Sequence, residues 1–195
     1  MSGISLIVGL GNPGQQYRFT RHNAGAMFLE TLCDAYRAEL KAESKFFGMS
    51  GKASIENRDI RLLFPTTYMN HSGQSVAAIV QYFKIDPAEM LVAYDELDLP
   101  PGTTRLKKGG GHGGHNGIRD IIKALGTQDF NRLRIGIGHP GHASQVSDYV
   151  LSDPSRADAE LLQNNIDNAV AITPMLVRGE FQEAMKKLHT KAQEN

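Results

Sequence analysis

The chain has 195 residues, with 21 Lys and Arg set against 21 Asp and Glu, seven His, one Cys and no Trp. A chain of this length is expected to form one domain, residues 1–195, and to bury enough surface to need neither disulfide nor metal. The lone Cys33 excludes an internal bridge, no apolar run approaches the roughly 20 residues that cross a bilayer, and the first residues lack the pattern of a secretory leader, so a cytoplasmic protein is expected.

Ser5 to Leu10 is a short apolar run stopped by Gly11-Asn12-Pro13-Gly14, which reads as a buried strand ending in a turn. Ala24, Met27, Phe28, Thr31, Leu32, Ala35 and Tyr36 recur at helical spacing, and Cys33 falls inside that pattern as a core filler. Ile60 to Phe64 reads as a strand closed by Pro65, Val76 to Phe83 as a helix, and Leu91 to Tyr94 as a strand entering Asp95-Glu96-Leu97-Asp98. A short strand at Arg105 to Lys107 precedes a glycine-rich loop at 109–117. Ile118 to Leu125 then reads as a helix, Leu133 to Ile137 as a strand, and the residues after it as a polar loop. Ser152-Asp153-Pro154-Ser155 predicts a helix start with Pro inside the first turn. Pro174 should kink or end that helix, and Phe181 to Leu188 form a last one. Strands alternating with helices predict an α/β fold with a mostly parallel or mixed sheet.

Gly9-Leu10-Gly11-Asn12-Pro13-Gly14 matches the dinucleotide fingerprint G-x-G-x-x-G in letters only. That fingerprint needs a helix opening at the glycines, whereas here the helical pattern starts near Ala24 and Pro13 removes one amide. Asn-Pro-Gly is a turn that aims Asn12 outward from a strand end.

Polar residues cluster at the predicted strand ends, where α/β folds place their sites. They are Asn12 with Tyr17 and Thr20-Arg21-His22-Asn23, then Pro65 to Asn70, then Asp95 to Asp98, then the loop Lys107 to Gly117. His22 before a helix and Asp95 at a strand end have the makings of a general base and its orienting carboxylate. They equally suit a helix cap and a solvated loop acid. No G-x-S-x-G elbow is present, so attack by water is favoured over a covalent nucleophile. His112-x-x-His115 and His139-x-x-His142 lie in broken loops, which does not set two rings on one helix face, and no metal is expected.

Neutral overall, the chain is divided in charge. Residues 102–134 hold seven basic side chains (Arg105, Lys107, Lys108, Arg119, Lys123, Arg132, Arg134) against two acidic ones, while 85–100 hold five acids and no base. Such a stretch beside a cleft suits a polyanion such as RNA, or simply a solvated face.

Six segments together closely resemble the bacterial peptidyl-tRNA hydrolases. They are GLGNPG with Tyr17, TRHNAG around His22, PTTYMNHSG around Asn70, DELDLPPG around Asp95, GGGHGGHNG at 109–117 and NRLRIGIGHPG at 131–141. The resemblance implies a twisted, mixed and largely parallel sheet flanked by helices. It implies a monomeric esterase without metal or cofactor that frees tRNA from stalled peptidyl-tRNA. By the same resemblance His22 is the base, Asp95 its holder and Asn12 a third catalytic residue. Asn70 and Asn116, with Tyr17, Tyr68, Met69 and His115, would bind substrate, and Lys107 with Arg134 would grip the tRNA 5′-phosphate. At His142-Ala143-Ser144-Gln145 the chain departs from relatives, which often carry lysines there.

Overall fold

A computed structural model describes residues 2–191, with the side chain of Lys191 left aside. In chain order the elements are β1 Leu6–Gly9, α1 Ala24–Tyr36, β2 Lys41–Glu43, β3 Gly48–Ile55, β4 Arg58–Pro65 and α2 Ser72–Phe83. There follow β5 Met90–Glu96, β6 Thr104–Lys108, α3 Asn116–Leu125, β7 Asn131–Gly136, α4 Val146–Val150, α5 Arg156–Val177 and α6 Phe181–Lys191. The strands form one sheet in the order β2-β3-β4-β1-β5-β7-β6. β4, β1, β5 and β7 run parallel, while β3 and β6 pair antiparallel with their neighbours. The sheet is thus mixed and largely parallel, as expected.

The sheet is covered on both faces, which is why β1 and β5 read as continuous apolar runs instead of alternating ones. Ile7, Leu62, Leu91 and Leu133 face α1, α5 and α6, packing with Phe28, Leu32, Ile166 and Ile172. Leu6, Val8, Leu63 and Val92 face α2 and α3, packing with Val76, Ile79, Ile118 and Ile121. Burying one such Leu or Ile is worth about 1.5–3 kcal/mol, so two such layers fix the strand order.

Four features depart from expectation. β2 and β3 lie where no strand was predicted, because Gly48, Gly51 and small polar residues mask the alternation that buries Ala53 and Ile55 and half-buries Met49 on one face. The turn that joins β3 to β4 is Glu56-Asn57, both at positive φ, without the Asn-Gly pair that announces such a hairpin. α4 fills part of the expected polar loop. The next helix begins at Arg156, capped by Ser155 Oγ accepting from the Asp158 amide at 3.1 Å, so Pro154 precedes the cap instead of sitting in the first turn. Pro174 lies within α5, which runs on to Val177; a proline this near the end removes one bond of the last turns without stopping the helix there.

Candidate active site

The loops that follow β1, β4 and β5 converge at the carboxyl edge of the sheet, where open α/β sheets hold their ligands. Two glycines bring a fourth segment to them. A Cβ on Gly25 would lie 2.1 Å from the Ala93 carbonyl oxygen, and one on Gly9 would lie 2.5 Å from the Gly25 carbonyl oxygen. Only glycine lets the first turn of α1 rest on β1 and β5 this closely. The 3-10 turn Arg21–Asn23, just before that helix, therefore delivers His22 to Asp95 at the end of β5.

The His22 Nδ1–H donates to Asp95 Oδ2 at 2.8 Å, and His115 Nε2 meets Asp95 Oδ1 at 2.8 Å. Asp95 is 3% exposed, which removes the solvated loop acid as a reading. His115 Nδ1 accepts the Gly117 and Ile118 amides at 3.1 and 3.3 Å as the cap of α3. With its Nδ1 lone pair so used, the network assigns the His115 proton to Nε2, which donates to Asp95. Both carboxylate oxygens thus accept a ring N–H, and His22 keeps Nε2 as its unprotonated nitrogen. Burial disfavours a charged imidazole at His22, but the charge and hydrogen bond of Asp95 outweigh it and hold the His22 pKa above its ordinary value. Burial likewise works against a charged Asp95, yet the two imidazoles beside it hold its carboxyl well below the usual range. Such an array can take a proton from water at Nε2 and return it later.

Around this array is an open cleft of about 600 Å³. His22, Asp95, Asn12, Tyr17, Tyr68, Met69, Asn70, His115 and Asn116 all line it, so nine residues singled out in the sequence are brought together. Of the cleft asparagines Asn12, Asn70 and Asn116, Asn12 is the buried one. Its Oδ1 accepts the Met69 amide at 2.8 Å, and its backbone N–H and C=O bond the Asn23 side-chain amide at 2.9 and 3.0 Å. That fixes the Asn12 amide oxygen, and the NH₂ takes no part in the bond.

Lys107 and Arg134 stand apart from this lining. They lie on β6 and β7, beyond β5, where a Cβ on Gly110 would come 2.7 Å from the Lys107 ammonium. Arg134 is paired with Glu96 Oε1, at 2.8 Å from Nε and 2.7 Å from a terminal nitrogen. Arg132, counted with the basic stretch, is 1% exposed; its two terminal nitrogens donate to the carbonyls of Gly110, Gly111 and Gln128, anchoring the glycine-rich loop. Sequence reasoning gave no role to Asn23, Glu96 or Arg132, nor to Val146 and Val150 of α4, which also line the cleft. The TRHN and DELD clusters contain the first two; nothing in the sequence marks α4. Cys33 is buried, and burial with nearby Asp34 and Glu30 pushes its thiol up to about 11, as suits a packing residue.

The ligand atoms of His22, Asp95 and His115 lie within 4.8 Å of one another. Their protons do not suit a cation, because each ring turns an N–H to the carboxylate. Binding a metal at His115 Nε2 would move its proton to Nδ1, against two backbone N–H groups. The other loop histidines cap their own turns: His112 and His139 accept the amides of Gly114 and Gly141 at 2.9 Å, and His142 accepts that of Ser144 at 3.1 Å.

The fold and site define an α/β protein with a carboxylate-held imidazole in an asparagine-lined cleft. Residues 6–195 match the family model described as peptidyl-tRNA hydrolase. The chain is 58% identical over 191 residues to the peptidyl-tRNA hydrolase of Pseudomonas putida, covering 97% of this chain and 98% of that protein. It is 51% identical to the crystal structure of peptidyl-tRNA hydrolase from Acinetobacter baumannii, with a TM-score of 0.95 over 97% and 96% of the two chains. The chain belongs to the peptidyl-tRNA hydrolase family. None of its described helices is long and apolar enough to cross a membrane.

Proposed function

We propose that the chain hydrolyses the ester between a peptide, or an N-blocked amino acid, and tRNA, recycling stalled peptidyl-tRNA in the cytoplasm as a monomer without metal or cofactor. The observation that carries this reading is the His22–Asp95–His115 array in the cleft of a chain of this family. His22 Nε2 takes a proton from water as the water oxygen bonds to the ester carbonyl carbon. The carbonyl oxygen becomes an oxyanion and meets the Asn12 NH₂, whose orientation is set beforehand by Met69. Collapse breaks the bond to the tRNA hydroxyl oxygen, which recovers the proton from His22 Nε2. Asn70 and Asn116 offer amides that donate and accept, which suits a peptide backbone of any sequence. The test is release of the blocked amino acid from N-acetyl-aminoacyl-tRNA by the purified chain; intact ester after prolonged incubation would contradict the reading.

Lys107 and Arg134 are proposed to hold the 5′-phosphate, with Tyr17, Tyr68, Met69 and His115 shaping the ground for the acceptor end. The phosphate must then compete with Glu96 for Arg134. Lys107→Ala should raise KM for whole tRNA about tenfold, the worth of a charged hydrogen bond, and barely touch a short esterified fragment. Glu96→Gln should lower KM for whole tRNA by freeing Arg134. Equal effects on both substrates would refute the phosphate role.

A further inference from the structure

A second cavity, of about 510 Å³, opens between α1 and the β3–β4 hairpin, and Asn12 lines both it and the cleft. Its walls are the half-buried Met27 of α1, Met49 of β3 and Phe64 of β4, with Leu40 beside them. Met49 and Phe64 are register partners, so their side chains stand together on the face that α1 covers. None of these residues belongs to the array that would carry the chemistry.

We infer that this groove receives the peptide portion of the substrate upstream of the esterified residue, with a preference for apolar side chains. The inference rests on the reading of the chain as a peptidyl-tRNA hydrolase. Sheet order supplies the first reason. β5 carries Asp95; β7 and β6, with Arg134 and Lys107, lie on one side of it, and β1, β4 and β3 lie on the other. A substrate with its ester at His22 and its phosphates on the basic side has its acyl chain directed past Asn12, towards the groove. Charge supplies the second. The exposed rim holds Glu30 and Asp34, and its cation, Arg18, is taken up by Glu30 at 2.7 Å, so the groove repels a polyanion. Composition supplies the third: thioethers adapt to side chains of varied shape, which a binder of unrelated peptides needs. The volume suits a short stretch of chain.

The test compares kcat/KM for N-acetyl-aminoacyl-tRNA and for tripeptidyl-tRNAs that share the esterified residue and differ upstream, Leu-Leu against Glu-Glu. The wild-type chain should favour the Leu-Leu substrate over Glu-Glu by about tenfold, the order of one well-placed apolar side chain in a pocket. Met49→Lys should reverse that preference, and Met49→Glu should deepen it. The reversal is a gain on one substrate that a misfolded variant cannot produce. One upstream preference shared by all three proteins would overturn the inference while leaving the function intact. No release from any of the esters would instead overturn the function. A dimer in sedimentation that Met49→Lys dissolves, with the peptide preference unmoved, would assign the groove to a second copy of the chain and refute the proposal.

Discussion

Replacing His22 with alanine is expected to lower kcat on N-acetyl-aminoacyl-tRNA by about 10²–10⁴-fold, the range a positioned general base contributes. Among the described residues of the cleft, none can take over. His115 is the nearest imidazole, at 5.1 Å between ring centroids, but its Nδ1 accepts two backbone amides and its Nε2–H is turned to Asp95. Cys33 is buried with its pKa pushed up to about 11. Affinity for tRNA should remain, since the basic residues on β6 and β7 are untouched. The variant leaves Asp95 Oδ2 unpaired in a buried site, a cost of about 1–3 kcal/mol, so its circular dichroism and melting should accompany the rates. Full turnover in His22→Ala would remove the imidazole from the mechanism.

Asp95→Asn is expected to cost nearly as much, for a reason the hydrogen-bond pattern supplies. Asp95 accepts from two ring N–H groups. An asparagine has one oxygen and one NH₂ to offer them. The His115 tautomer is fixed by the start of α3, so the amide oxygen goes to His115 and the NH₂ to His22. His22 must then accept at Nδ1 and carry its proton on Nε2, the nitrogen that has to be bare to act as base. A loss of about 10²–10⁴-fold follows from the wrong tautomer alone. A kcat near wild type would show that Asp95 does not set the form of His22.

The strand ends and their polar clusters were legible in the sequence because each pairs a short apolar run with an abrupt stop. Ser5 to Leu10 halts at Asn12-Pro13-Gly14, and Leu91 to Tyr94 runs straight into Asp95. The β2–β3 segment was hidden because glycines and small residues carry no alternation, and α4 because five residues make too short a periodic pattern. Within the site, residue types pointed to His22, Asp95 and the asparagines, but two contacts needed three dimensions. Glu96 and Arg134 lie 38 residues apart and meet only because β5 and β7 are neighbours. Arg132 looks like its basic neighbours in sequence, yet its strand position turns it inward to hold the glycine-rich loop.

Zero net charge describes neither flank: the seven bases against two acids of residues 102–134 are offset by acids elsewhere, five of them within 85–100. The central claim, that Asp95 holds His22 as the working base, is tested most directly by the pH dependence of kcat/KM in wild type and Asp95→Asn side by side. The rate requires unprotonated His22, so it should fall as pH drops through the His22 pKa, with a wild-type midpoint above the ordinary imidazole value of about 6.5. In Asp95→Asn the carboxylate charge is gone and burial acts unopposed, so the midpoint should move down. Coincident midpoints would contradict the account.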